Sequence, residues 1–149
     1  MNNDLNNILS ISPIDGRYYS KTESLSAYFS EFGLIKYRVF VEIEYFLALS
    51  KLPIENFKNL SEKDRKNIRS IYQNFTHQDA LKIKEIENEI NHDVKAVEYF
   101  LKNQFDKIGL YKYKEFVHFG LTSQDVNNTA IPLMLKKSIN DIILPQLKN

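Results

Sequence analysis

Apolar side chains recur every three or four residues along most of the chain, which is the spacing of a helix with one buried face. The first such segment runs from Leu25 to Lys51, ends before Pro53 and has its apolar positions at Leu25, Tyr28, Phe29, Phe32, Val39, Ile43, Phe46 and Leu47. It predicts a core helix that Gly33 divides or bends, since glycine costs about 1 kcal/mol relative to alanine inside a helix.

Three later segments begin with residues that cap helices. Ser61 and Thr76 each precede an aspartate by three residues, as in a capping box, and each opens an apolar-periodic run. Another run follows Asn91-His92-Asp93 and continues through Val94, Val97, Phe100 and Leu101. Because few stretches show a convincing strand pattern, the sequence predicts an all-α fold.

The last apolar run follows Thr122 and extends to Leu147. Its apolar residues fall on more than one side of a helix, which is typical of a helix surrounded by others. No later segment of the 149 residues could cover it, so we expect either packing between subunits or a sequence that is the front part of a longer protein. Pro132 lies inside this run and would cost about 3 kcal/mol in a helix interior, which predicts a bend near residues 128 to 132.

Composition narrows the classes of function. The 149 residues are 43% hydrophobic and 13% aromatic, which suffices for about one domain with a buried core. A net charge of +1 gives no overall field that would attract nucleic acid or an anionic membrane. The absence of cysteine excludes disulfides, a thiol nucleophile and thiolate metal sites. With no signal-like first residues and no long apolar run, the sequence predicts a soluble, cytoplasmic protein.

Asn91, His92 and Asp93 form the first candidate site. An imidazole between an amide and a carboxylate can bind a charged ligand and move a proton near neutral pH, because its ordinary pKa is about 6.5. Asn and Asp are also preferred at helix starts, so capping alone explains the same residues, with His92 exposed. The local pattern leaves both interpretations open.

Two further stretches could bind anions. Thr122 and Ser123 lie at a predicted helix start, where free N–H groups and two hydroxyls suit a carboxylate or phosphate. Ordinary capping together with Asp125 explains Thr122 equally well. Arg17 and Tyr18 follow a glycine turn, and the planar guanidinium suits the same anions, although an arginine on an exposed turn is usually just solvated.

Three separated stretches together resemble the amino-terminal part of the adenylosuccinate lyases, members of the fumarase/aspartase superfamily. They are Ser12-Pro-Ile-Asp-Gly-Arg-Tyr18, Asn91-His-Asp-Val-Lys-Ala-Val-Glu-Tyr-Phe100 and Phe116-Val-His-Phe-Gly-Leu-Thr-Ser-Gln-Asp-Val-Asn-Asn128. The resemblance covers nearly all of the chain. It implies a helical N-terminal domain with a substrate-binding loop at residues 1–115, and at residues 116–149 the first, truncated helix of a central long-helix bundle.

The resemblance implies a lyase of purine biosynthesis that forms a homotetramer and uses no metal or organic cofactor. Such an enzyme eliminates fumarate from adenylosuccinate, giving AMP, and from succinyl-aminoimidazole carboxamide ribotide. By matching positions, Arg17 and Tyr18 would bind the nucleotide part of the substrate, and Asn91-His92-Asp93 would line the same pocket. Thr122 and Ser123 would hold a carboxylate of the succinyl group, and His118 matches a family histidine near the site.

The elimination needs a base for a carbon-bound proton, stabilisation of the aci-carboxylate and an acid for the leaving nitrogen. The resemblance places the serine base and the histidine acid beyond Asn149, so no catalytic residue is expected within this chain. We therefore expect the substrate-binding front part of a lyase. The alternative is a catalytically inactive, truncated helical module for nucleotide binding or assembly. Another lyase of the superfamily is less favoured, and a metal site of His77, His92 and His118 least, because their spacing is wrong for ligands.

Overall fold

The computed structural model describes residues 8–148, and within that range every regular element is helical, which confirms the all-α prediction. Five long helices form the fold: α1 (Glu31–Leu49), α2 (Glu62–Gln73), α3 (His77–Ile90), α4 (Asp93–Lys107) and α5 (Ser123–Ser138). Shorter helical segments are Tyr19–Thr22, Glu23–Leu25, Ser26–Phe29, Glu55–Phe57, Tyr111–Phe116, Ile139–Ile143 and Leu144–Lys148. None of the helices between residues 8 and 148 is both long and apolar enough to cross a membrane.

Helix α1 is the centre of the fold, because α2, α3, α4 and α5 all contact it. Its apolar stripe is almost fully buried, with Val39 at 0% exposure and Ile43 and Phe46 at 1%. Phe46 makes edge-to-face contacts with Phe57 and Phe105, whose ring centroids lie 5.6 and 4.9 Å away. Such aromatic pairs add about 0.5–1.5 kcal/mol each to the burial of their surface.

The predicted first helix is divided at Ser30 and not at Gly33. Ser30 has an extended backbone, and its hydroxyl oxygen accepts a hydrogen bond from the Gly33 N–H at 3.1 Å, so it caps α1. Gly33 is buried in the first turn of α1, where an added Cβ would lie 2.5 Å from the carbonyl oxygen of Tyr28. The glycine is therefore needed for the close approach of the segment Ser26–Phe29.

The capping boxes predicted at the starts of α2 and α3 are confirmed. The Asp64 N–H donates to the Ser61 hydroxyl at 3.1 Å, and the Ser61 N–H donates to the Asp64 carboxylate at 3.0 Å. Thr76 and Asp79 repeat this arrangement. Fixed helix starts of this kind determine the direction in which α2 and α3 leave their loops.

Helix α5 packs on α1 through Val126 and Ala130, both 0% exposed. It runs without interruption through Pro132, which lies on its exposed side. The departure from α-helical geometry comes later, at Ile139–Ile143, which forms a turn of π-helix. The bend expected near residues 128 to 132 stays a prediction.

Candidate functional site

The Asn91-His92-Asp93 stretch forms the turn between α3 and α4. Asn91 ends α3 with a left-handed backbone (φ 53°), and His92 is extended and caps α4. The His92 Nδ1 accepts a hydrogen bond from the Lys95 N–H at 3.1 Å. Capping thus does occur here, but the histidine performs it and not Asn91 or Asp93. Because Nδ1 is the acceptor, the neutral imidazole carries its proton on Nε2, and the side chain is 52% exposed.

Asp93 is held by partners on both of its oxygens. Its Oδ2 pairs with the Arg38 Nη2 at 2.7 Å, and its Oδ1 accepts from the Val94 N–H at 2.8 Å. Partial burial raises the pKa of Asp93, but the Val94 hydrogen bond and the Arg38 charge outweigh burial and leave that pKa below its usual range. Asp93 is therefore an ionised, charge-balanced group at neutral pH and not a free base.

The start of α5 is a capping box in which Thr122 and Asp125 engage each other. The Thr122 N–H and hydroxyl donate to the Asp125 Oδ2 at 2.7 and 2.9 Å. These two bonds lower the pKa of Asp125. The Ser123 hydroxyl, in contrast, has no hydrogen-bond partner within residues 8–148, and the first N–H groups of a helix have no partner inside it. Within the described residues, the groups at this helix start that can bind a ligand are therefore the Ser123 hydroxyl and the first backbone N–H groups.

A single buried side chain links these two helix starts. Arg38 on α1 is 5% exposed, and its Nε donates to the Asn127 Oδ1 at 2.9 Å while its Nη2 pairs with Asp93. Beneath this link, the starts of α4 and α5 share a small apolar cluster formed by Val41, Val94, Val126 and Ala130. The structure therefore brings the first two sequence-predicted stretches together.

The loop that leads into α5 is also fixed by α1. Glu42 is fully buried, and its Oε1 makes a short hydrogen bond with the His118 Nδ1. Burial raises the pKa of Glu42, His118 opposes that effect, and the net pKa is raised. His118 has a left-handed backbone (φ 60°), and the next residue accepts a hydrogen bond from the Tyr45 hydroxyl at 2.8 Å through its carbonyl. Arg38, Glu42 and Tyr45 of α1 therefore hold the two helix starts, those of α4 and α5.

The third predicted stretch forms the expected turn but stays apart. The Gly16 N–H donates to the Ser12 carbonyl at 3.1 Å, and the Tyr18 N–H donates to the Pro13 carbonyl at 2.8 Å. The exposed Arg17 guanidinium lies 5.4 Å from the centre of the Tyr18 ring. Within residues 8–148, no hydrogen bond or ion pair joins Arg17 to either helix start.

Arg38 and Glu42 were not predicted as site residues. The signal was present, since charged residues four apart fall within the apolar stripe of the most buried helix. A buried charge has to be paired, so such positions point to partners elsewhere in the chain. The three histidines are not gathered into a metal site, and residues 8–148 contain no group of three or more His, Cys, Asp or Glu side chains suited to one.

Comparison with known proteins gives one consistent result. A family model described as "Lyase" matches residues 16–149. The chain is 54% identical to the adenylosuccinate lyase of Dictyostelium discoideum over 99% of its own length and 32% of that protein. It is 46% identical to the adenylosuccinate lyase of Vibrio cholerae over 98% of the chain, and 48% identical to that of Legionella pneumophila over 92%. The chain thus spans about a third of the length of these relatives.

Proposed function

Because the chain belongs to the lyase family, we propose that it is the amino-terminal, substrate-binding part of an adenylosuccinate lyase. The complete protein would eliminate fumarate from adenylosuccinate, giving AMP, and from succinyl-aminoimidazole carboxamide ribotide, in purine biosynthesis. In this reaction a C–N bond breaks, a carbon-bound proton leaves and the C=C bond of fumarate forms. The serine base and histidine acid would come from residues outside this chain.

The observation that carries the proposal is the joining of the starts of α4 and α5 by Arg38. At one start the His92 Nε2–H can donate a hydrogen bond, and at the other the Ser123 hydroxyl and the first N–H groups can do so. Donors at two neighbouring helix starts suit a ligand with more than one carboxylate. Ser123 would hold a carboxylate of the succinyl group, and Asn91 and His92 would line the pocket.

Arg17 and Tyr18 would bind the nucleotide part of the substrate. The guanidinium lies on an exposed turn that backbone hydrogen bonds fix in shape, so it is available to an outside ligand. Its planar fork can donate two parallel hydrogen bonds to the phosphate, and the neighbouring tyrosine can add a hydroxyl donor. A substrate with a phosphate at one end and carboxylates at the other needs such separate anion sites.

Asp93 and Thr122 would act at the same site in a different way. Asp93 is paired with Arg38, and the Thr122 hydroxyl is bound to Asp125, so neither side chain is as open as that of Ser123. Their part in substrate binding would be to hold His92 and Ser123 in place next to the ligand. This assignment separates the seven proposed binding residues into those that touch the substrate and those that shape the site.

The proposal includes the organisation of the complete protein. Residues 1–115 would be its N-terminal helical domain, and residues 116–149 would begin a central bundle of long helices. The exposed apolar side chains of α5 and the segments after it support burial against further helices of a homotetramer. Its proposed location is the cytoplasm.

The test uses the complete polypeptide and follows the absorbance of adenylosuccinate. We expect Ser123→Ala to raise KM by about 10-fold, since losing one hydrogen bond to a charged group is worth roughly 1.5–3 kcal/mol. Thr129→Ala is the matched control, because its exposed hydroxyl lies on the same helix and donates to the Asp125 carbonyl. No change in absorbance with the wild-type protein would refute the proposed activity.

A further inference from the structure

The structure assigns to Arg38 the role of a positioning residue, one that fixes the start of α4 relative to the start of α5 and balances the charge of Asp93. This inference rests on the proposed function, because it concerns the same anion site. Arg38 itself lies beneath the site, is 5% exposed and would not touch the ligand. It would act through two residues that touch the ligand. His92 is next to Asp93, and Ser123 lies one turn before Asn127.

The geometry requires an arginine. One guanidinium uses two different nitrogens for partners on two different helices, Nη2 for Asp93 at 2.7 Å and Nε for Asn127 at 2.9 Å. Because the guanidinium is planar and rigid, these two bonds fix the positions of the partners relative to each other. A lysine at this position could pair with Asp93, but the donors of its ammonium lie on one nitrogen at the end of a flexible stem and are not held in two fixed directions.

The charge of Arg38 has a second consequence for an anionic ligand. Asp93 is the residue next to His92, and its carboxylate is ionised at neutral pH. Without the guanidinium, this negative charge would repel an anion that binds to His92 and to the start of α5. With the guanidinium in place, the pair is neutral overall, and the helix N-termini determine the local field.

The first test perturbs the link from its more accessible end. Asn127 is half-buried, and among residues 8–148 its side-chain oxygen accepts only from Arg38, so Asn127→Ala should fold. The control is Asn128→Ala on the same helix, where the exposed amide accepts from Gln124 at 2.7 Å and, in the part of the chain that the structure describes, makes no hydrogen bond to α4. In the complete polypeptide, we expect KM for adenylosuccinate to rise by about 10-fold in Asn127→Ala and to change less than twofold in Asn128→Ala.

The second test changes Arg38 itself. Arg38→Lys keeps the charge and should raise KM less than Arg38→Met, which removes both charge and hydrogen bonds. Arg69→Met is the control, because Arg69 on α2 also pairs with α1, through Glu44 at 2.9 Å, but makes no hydrogen bond or ion pair to α4 or α5 within residues 8–148. KM is the deciding quantity, since a partly unfolded variant has a lower apparent kcat and an unchanged KM.

A binding measurement separates this inference from the proposed function. Succinate is the probe, and the readout is the rise in the thermal unfolding midpoint of the complete polypeptide as succinate is added. One outcome would separate the two claims. The wild-type protein would not cleave adenylosuccinate, but succinate would raise the unfolding midpoint of wild type and Asn128→Ala and not that of Asn127→Ala. The lyase assignment would then fail, and the role of Arg38 would stand. Equal protection or equal KM in both asparagine variants overturns the role of Arg38, and so does a wild-type protein that neither reacts nor is protected.

Discussion

At the scale of single residues, α1 places a carboxylate where water cannot reach it. Glu42 is fully buried, and only one of its oxygens has a partner, the His118 imidazole; Oε2 has none within residues 8–148. The charged groups around it are His118 on the loop before α5 and Glu98 on α4, which is itself paired with Lys95 and Lys102. An imidazole that donates from Nδ1 to such a carboxylate presents Nε2 in a fixed direction.

This arrangement predicts a specific effect of pH on stability. The pKa of Glu42 is raised in the folded chain, mainly by burial, so between its ordinary value of about 4.5 and the raised value the folded state binds more protons than the unfolded state. Stability contributed by Glu42 is therefore present below pH 4.5 and is lost as the pH rises through the raised pKa. Glu42→Gln is always neutral and keeps an acceptor for His118. We expect urea unfolding to show wild type losing stability relative to Glu42→Gln over this window.

The control for this measurement is Glu85→Gln, because Glu85 is an exposed glutamate on α3. Its free energy of unfolding should follow that of wild type at every pH. If the difference between wild type and Glu42→Gln is also independent of pH, burial does not control the titration of Glu42.

At the scale of helices, the start of α1 depends on a glycine for a steric reason. Helix propensity alone predicts that Gly33→Ala stabilises the chain by about 1 kcal/mol. The close contact with the Tyr28 carbonyl reverses that expectation, since the clashing atom belongs to the backbone and cannot rotate away. We predict a net loss of about 1–3 kcal/mol in the free energy of unfolding. Lys36→Ala, at an exposed position of the same helix, should change stability by less than about 0.5 kcal/mol.

Replacing Pro132 by alanine should have the opposite effect on stability from replacing Gly33. Pro132 lies on the exposed side of α5, where its ring removes one helical hydrogen bond. Pro132→Ala should therefore raise the free energy of unfolding, by about 1–3 kcal/mol. Lys137→Ala, also exposed on α5, serves as the comparison, and a stability unchanged or lowered by Pro132→Ala would mean that the proline fits a bend in α5.

The helices and their caps could be predicted from sequence because both depend on residues three or four apart. The boxes at Ser61 and Thr76 are examples, since every partner lies within one turn. The division of the first helix was assigned to the wrong residue, because Gly33 is needed for a contact with the preceding segment and not for a break. Arg38 could not be connected to Asp93 and Asn127 from sequence, since these partners lie 55 and 89 positions away and meet only in the folded chain.

At the scale of the whole molecule, one apolar surface has no cover among residues 8–148. It consists of side chains on α5 and the segment after it, Ile131 at 52% exposure, Leu135 at 50%, Leu144 at 39% and Leu147 at 77%. The relatives are about three times longer than this chain, and in a protein of that length such a surface would fit the proposed bundle and its subunit contacts. Asp141 nearby is bound by the Tyr28 hydroxyl at 3.0 Å, which ties this end of the chain to the segment before α1.

The proposed homotetramer can be tested at the centre of this surface. Leu135→Asp places a charge where the bundle would exclude water, and an unpaired buried charge costs about 3–5 kcal/mol. We expect the complete polypeptide to sediment as smaller species, with its far-UV circular dichroism unchanged. Asn140→Asp adds the same charge at an exposed polar position of the following segment and should leave the assembly intact. If Leu135→Asp also remained a tetramer, this surface would lie outside the subunit contacts.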